Sequence, residues 1–257
     1  MLKVGMTTVT FNPNSISEVI EYAKAAELSV IEVGGRTHVV AGDLKAAEEM
    51  KNAAQKAKIE ISSYGSYYRC GTYPDAQAEF NKVIETTLAL GASTIRIWVG
   101  SYNFEDADEE YKEKIISELR MISDMAREKG IDIGCEFHGG TLCNNRESSL
   151  YVCREVARDN FGMYFQYDPR VSIEENERTL REFLPILKNV HVFCITEKAE
   201  RYFITDKERG GREMWEGFIK ILKDAVKSTN ILIEFLPNPT LTALASEAEA
   251  LREITKN

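Results

Sequence analysis

Short runs rich in β-branched and aromatic residues alternate along this chain with longer runs whose apolar residues recur at helical spacing. The short runs predict strands at 3–10, 29–34, 59–67, 93–100, 131–138, 161–168, 190–196 and 231–236. Between them the longer runs predict helices near 15–27, 43–57, 75–90, 107–129, 146–158, 174–187, 212–228 and 240–255. Several helices carry their own start and stop signals. Ser15 and Glu18 have capping-box spacing, Asp43 stands where an N-cap belongs, and Gly91 and Gly130 follow the apolar stripes that end at Leu88 and Ala126. Eight strand–helix units in series imply parallel strands joined by right-handed crossovers, and a (β/α)8 TIM barrel has that count in about 250 residues. An open doubly wound sheet is the rival, and it announces its nucleotide site with a glycine-rich turn after an early strand. Here the first strand runs into Thr-Val-Thr-Phe-Asn-Pro, with no GxGxxG or GxxxxGK[ST] behind it. The expectation is therefore an α/β chain folded as a single TIM barrel over residues 1–257.

Composition narrows the partners. The 257 residues carry a formal net charge of −9, with 44% hydrophobic and 28% charged positions. An acidic surface disfavours broad contact with a phosphate backbone, so no nucleic-acid partner is expected. No stretch approaches the ~20 apolar residues that span a bilayer, so no membrane association is expected either. Five cysteines, at 70, 135, 143, 153 and 194, are odd in number and form no CxxC, which reads as reduced thiols in a cytoplasmic protein. A homodimer is compatible with exposed loops at a barrel mouth.

Barrel chemistry sits at the carboxyl ends of strands, and alternation sends every second side chain inward. In the fifth strand one parity holds Gly134, Glu136 and His138; in the sixth it holds Tyr164, Gln166 and Asp168. His191 lies within Asn-Val-His-Val, and Glu234 within Ile-Leu-Ile-Glu-Phe. An ionisable residue inside an apolar strand is unfavourable unless it is paired or bound to a metal. Each of four successive strands supplies one, Glu136, Asp168, His191 and Glu234, and in a barrel they converge on one arc of the mouth. Three carboxylates and an imidazole need a positive centre and suit one divalent ion, Mn, Mg, Co or Zn. Any one of these residues alone could instead cap a helix or pair with an arginine, and Asp168 within Asp-Pro-Arg also reads as a turn.

Further polar residues are candidates for substrate contact. Arg96 and Trp98 share a parity on the fourth strand; Arg96 either balances the carboxylates or binds an anionic group. Glu32 either reaches the mouth or pairs with Arg96. Tyr64, Tyr67 and Tyr68 cluster at the end of the third strand, Arg36 and His38 follow the second, and His138 lies two residues beyond Glu136. The connection from Thr196 to Gly211 holds Lys198 and Arg201 and is long enough to be a lid.

Taken together, Cys135-Glu-Phe-His-Gly-Gly-Thr141, Tyr167-Asp-Pro-Arg-Val171, Asn189-Val-His-Val192 and Ile233-Glu-Phe-Leu236 make the chain resemble the xylose isomerase-like superfamily of sugar phosphate isomerases and epimerases. That resemblance implies a metal held by Glu136, Asp168, His191 and Glu234, with Glu136 and Glu234 also acting as the acid/base pair. It implies a small carbohydrate substrate, a keto-sugar or its phosphate, whose proton moves between two carbons or two faces through an enediolate. The chain departs from the ketose 3-epimerase pattern at Val171, where a histidine is common, and at Glu197, where an arginine is common. A dehydratase of a polyol ketone, such as an inosose or dehydroshikimate, is the alternative, with His138 or Lys198 as its acid. A barrel that binds sugar without catalysis is the third. Only three histidines are present, too few for the histidine-rich trinuclear zinc site of endonuclease IV, which the same superfamily contains.

Overall fold

The computed structural model describes residues 1–256. Eight parallel strands close a barrel in the order β1-β10-β7-β6-β5-β4-β3-β2. They are β1 (Leu2–Thr7), β2 (Val30–Gly34), β3 (Glu60–Arg69), β4 (Thr94–Trp98), β5 (Asp132–Glu136), β6 (Phe161–Phe165), β7 (Leu187–Val192) and β10 (Thr229–Ile233). A two-stranded antiparallel hairpin, β8 (Cys194–Ile195) with β9 (Arg201–Tyr202), rises between β7 and the next helix. The outer helices are α1 (Ile16–Ala25), α2 (Leu44–Ala57), α3 (Ala76–Leu90), α4 (Glu109–Arg127), α5 (Arg146–Val156), α6 (Ile173–Phe183), α7 (Gly211–Asp224) and α8 (Leu241–Lys256). No described helix is long and apolar enough to cross a membrane. All five cysteines are unbridged.

The expected helix starts carry real caps. Ser15 and Glu18 close a capping box, and the Asp43 carboxylate accepts from the Ala46 amide at 3.0 Å. Outward-facing strand residues such as Ile31, Val33, Ile95, Ile97, Ile133 and Cys135 form the apolar layer under the helices, all fully buried. The inward parity is different in kind. Barrel interiors are ordinarily filled by branched apolar residues, but here they hold Glu32, Ser63, Arg96, Tyr164, Asn189 and His191, each at most 2% exposed. Two glycines make room for them. A Cβ on Gly65 would stand 2.6 Å from Arg96 Nη2, and one on Gly134 would stand 2.2 Å from the Tyr164 ring.

Candidate active site and metal centre

The polar interior is one continuous network. Asn230 donates to Asn189 Oδ1 at 2.7 Å; Asn189 Nδ2 donates to the Tyr164 hydroxyl at 2.7 Å and reaches Ser63 Oγ at 3.4 Å. Ser63 Oγ donates to Glu32 Oε2 at 3.0 Å, and Arg96 Nε donates to Glu32 Oε1 at 2.9 Å. Arg96 continues upward through Nη1 to Glu136 Oε2, which also accepts from Trp98 Nε1. Of the two roles open to Arg96 and Glu32, the observed one is mutual pairing beneath the mouth.

His191 stands between two carboxylates, with Nε2 3.4 Å from Glu32 Oε1 and Nδ1 3.3 Å from Glu234 Oε2. Neither nitrogen makes a hydrogen bond of good geometry, and both are buried. Ligand atoms of Glu136, His191 and Glu234 all lie within 4.8 Å of one another, and the three residues are buried. β10 delivers Glu234 as it peels away. The Glu234 amide makes a last ladder-like bond to Val192 O at 2.9 Å, and Phe235 then turns at φ 51° with its amide held by Thr10 Oγ1 at 3.1 Å.

Electrostatics fix the charge states. Burial would raise the Glu136 pKa, but Arg96, followed by His191 and His138, holds it below the usual carboxylate value. Burial acts the same way on Glu32, where Arg96 and His191 win and bring the pKa to about 2. Burial would strip the His191 proton, yet Glu234 and Glu32 raise its pKa to about 10 in the absence of a metal. The carboxylates Glu32, Glu136 and Glu234 therefore face Arg96 and one titratable imidazole.

Above this floor opens a cavity of about 290 Å³, whose lining includes Glu136, His138, Gln166, Asp168, Arg201 and Glu234. Asp168 is in the mouth as expected, but its carboxylate is held by Arg170, with Nε and Nη2 at 2.8 and 2.7 Å and the Arg170 amide at 2.9 Å. The turn reading of Asp-Pro-Arg thus describes its local structure. Trp98 stands behind the cavity lining rather than in it, with the ring of the lining residue His138 stacked on it at 5.4 Å. Tyr64 is elsewhere: fully buried, it donates its hydroxyl to Val39 O at 2.8 Å, which leaves it no face toward a substrate. Tyr67, not Tyr64, is the tyrosine of this cluster that faces Arg96. The register of β3 shifts between Gly65 and Tyr68, and Tyr67 takes φ 59°. Tyr67 keeps the inward parity of Ser63 and Gly65, and its ring lies 5.2 Å from the Arg96 guanidinium and 5.5 Å from Trp98. Lys198 lies in the exposed turn between β8 and β9, outside the cavity lining, whereas Arg201 on β9 is part of that lining.

A family model described as the xylose isomerase-like TIM barrel matches residues 20–254. The chain belongs to that family. It is 27% identical over 149 residues to the inosose isomerase of Bacillus velezensis, a match covering 56% of this chain and 51% of that protein, so it spans about half the length of that curated relative. The probable 3-DHS dehydratase AsbF from Bacillus anthracis superimposes with a TM-score of 0.79 at 15% identity, covering 97% of this chain and 98% of that one. The D-allulose 3-epimerase from Methylomonas sp., in complex with D-allulose, gives 0.75 at 17% identity over 99% and 96% of the two chains. These two likenesses are likenesses of fold.

Proposed function

We propose that this protein is a divalent-metal-dependent sugar isomerase or epimerase that moves a proton on a keto-sugar or sugar phosphate between Glu136 and Glu234. The observation that carries this reading is the buried Glu136–His191–Glu234 cluster at the floor of the cavity. The residues suit an ion. His191 is buried between Glu32 and Glu234 with no well-formed hydrogen bond at either nitrogen, and with its imidazole neutral, as a ligand must be, the three carboxylates beside a single arginine would lack two positive charges. Glu136, His191 and Glu234 would hold it, and Asp168 would join them by exchanging Arg170 for the ion. A bound divalent ion supplies Lewis acidity to a substrate carbonyl.

The chain's own residues do the rest. Arg96 and Trp98 both donate to Oε2 of Glu136, which leaves Oε1 uncommitted on a carboxylate held anionic, the state a proton acceptor needs. Glu234 stands on the other side of His191 and is the group that returns the proton. Glu32 faces His191 Nε2 at 3.4 Å, which would favour the tautomer that leaves Nδ1 as the ligand atom. The test is solvent proton exchange. With Mn²⁺ and a panel of ketoses in deuterated water, the wild type should incorporate deuterium beside the carbonyl. Glu234→Gln should lose formation of the isomerised or epimerised product by about 10²–10⁴-fold. Full turnover by Glu234→Gln would refute the two-glutamate scheme.

A lyase is the second reading, favoured by one observation. His138 lines the same cavity with Nδ1 donating to Gly139 O, and in its imidazolium form the remaining Nε2–H would be the proton donor to a leaving hydroxyl. Growth of a conjugated-enone absorbance from a polyol ketone would select it. Binding of sugar with no exchange at all would select a non-catalytic barrel.

A further inference from the structure

The cavity wall carries a cation without a partner. The Arg201 guanidinium lies over the ring of Phe235 at 4.7 Å and near that of Phe193 at 5.5 Å. Its one recorded hydrogen bond is long, Nη1 to Phe235 O at 3.5 Å, although a guanidinium has five N–H donors. Arg201 is half-buried, and burial draws its pKa below the ordinary arginine value; the field of Glu234 opposes this only in part, and no carboxylate stands within ion-pair distance of the guanidinium.

This isolation is unusual within the molecule. The chain has 41 acidic against 32 basic side chains, so carboxylates are plentiful. Among the described residues, every arginine except Arg36, Arg69, Arg120 and Arg201 has a carboxylate within ion-pair distance. Arg120 donates to Glu155 O on the outside of the barrel. Arg36 stacks on Tyr67 at 4.4 Å and Arg69 on Trp98 at 4.1 Å, so of the four only Arg201 lines the cavity.

The fold also takes trouble to keep Arg201 where it is. Its strand pairs with β8, whose Ile195 amide and carbonyl both engage the Tyr167 hydroxyl. Just beyond, buried Glu247 of α8 accepts from the Ile204 amide at 2.7 Å, the Thr205 amide at 3.2 Å and Thr205 Oγ1 at 3.0 Å. A desolvated cation fixed on both sides and left unpaired in a cavity is a half-built anion site.

We propose that Arg201 binds an anionic group of the substrate, a carboxylate or a phosphate, so that this barrel selects an acidic or phosphorylated ketose over a neutral one. This names the substrate class of the proposed sugar-isomerase site and rests on that reading for the ketose part of the ligand. The carboxylate and the phosphate share one chemistry, anionic oxygens facing a guanidinium fork.

The experiment is calorimetric titration of the Mn²⁺-loaded protein with D-fructose, D-fructuronate and D-fructose 6-phosphate, which differ only at C6. At least one of the two anions should bind about tenfold or more tightly than D-fructose, the scale of a hydrogen bond to a charged group. Arg201→Met should weaken that anion by about tenfold more than it weakens D-fructose, Arg201→Lys should retain part of the preference, and Arg120→Met should change nothing. The better of the two anions identifies the source. Equal binding of all three, no binding of either anion, or an Arg201→Met loss that falls equally on D-fructose would overturn the proposal. The two readings fail separately. Proton exchange into D-fructose with no charge preference would remove the anion site and leave the isomerase; Arg201-dependent anion binding without proton exchange would do the reverse.

Discussion

Replacing Arg96 with methionine should make the protein's stability depend on the metal. Arg96 is 2% exposed and bonds two carboxylates, Glu32 through Nε at 2.9 Å and Glu136 through Nη1. Methionine keeps much of the side-chain length and removes the charge, leaving both acids buried without their main counter-ion. Removing one partner from a buried ion pair destabilises by roughly 3–5 kcal/mol. At about 2–4 °C per kcal/mol for a chain near this size, the melting temperature should fall by roughly 6–20 °C in EDTA. Metal binding should then restore part of the loss. An ion at a hundred times its dissociation constant stabilises any binder by about 2.7 kcal/mol; in the variant it also neutralises the exposed debt at Glu136. The metal-induced rise should therefore be larger in Arg96→Met than in the wild type. Differential scanning fluorimetry with EDTA or Mn²⁺ measures both quantities. A fall of less than about 2 °C in EDTA, or an equal metal-induced rise in both proteins, would refute the claim that Arg96 is the floor's internal cation.

Two further outcomes follow from named contacts. Glu247→Ala removes the acceptor for the Ile204 and Thr205 amides, so hydrogen exchange at those two residues should accelerate at least about tenfold while the barrel strands stay protected. Unchanged exchange there would show that the loop after β9 is held by something else. In the metal-free protein, His191 has its pKa raised from 6.5 to about 10, so its contribution to stability is full below pH 6.5 and is lost as pH rises toward 10. Glu32 has its pKa lowered from 4.5 to about 2, so its contribution is full above pH 4.5 and is lost as pH falls toward 2. Urea midpoints in EDTA should thus be highest between about pH 4.5 and 6.5, and a midpoint that climbs from pH 7 to 10 would contradict the His191 environment.

The barrel was legible because eight units repeat one pattern, and errors sit where a local signal was underweighted. The sixth helix was expected to reach 187 and the seventh strand to begin at 190; α6 ends at Phe183 and β7 begins at Leu187. Pro185, which cannot continue a helix, explains the early stop. Phe137, Tyr167 and Leu236 are apolar and lengthen the apparent strand runs, yet they are buried beyond the ends of the ladder at Glu136, Phe165 and Ile233. Glu136, His191 and Glu234 were legible as ionisable islands in apolar strands. Tyr64 and Tyr67 fall on opposite parities of Ser-Tyr-Gly-Ser-Tyr-Tyr: Tyr67 follows Ser63 and Gly65, which face Glu32 and Arg96, whereas Tyr64 points outward to Val39 O, so alternation alone separates the two. Ser63, Asn189 and Asn230 were missed as network members for a different reason. One small polar residue in a strand carries no period, and only closure of the barrel brings the three together.

The same interior decides how metal and fold are coupled. In small metal-built domains the ligands have no reason to converge until the ion arrives, so chelation unfolds them. Here convergence has other causes. Arg96 already neutralises much of the charge of Glu32 and Glu136, the His191 proton serves Glu234, and an apolar layer such as Ile95, Ile133 and Val190 closes the barrel independently of the site. Loading a divalent ion then amounts to exchanging one imidazole proton for the metal inside a finished barrel, rather than assembling one. Chelation should leave the far-ultraviolet circular dichroism of the protein unchanged at neutral pH while lowering its melting temperature. Metal addition at pH 7–8 should release about one proton, since neutral imidazole is the ligand form and His191 titrates near 10 without the ion. Proton release is read from calorimetric heats in buffers of different ionisation enthalpy. Loss of helical signal on chelation would mean that the network of Glu32, Arg96 and Glu136 cannot hold the floor alone.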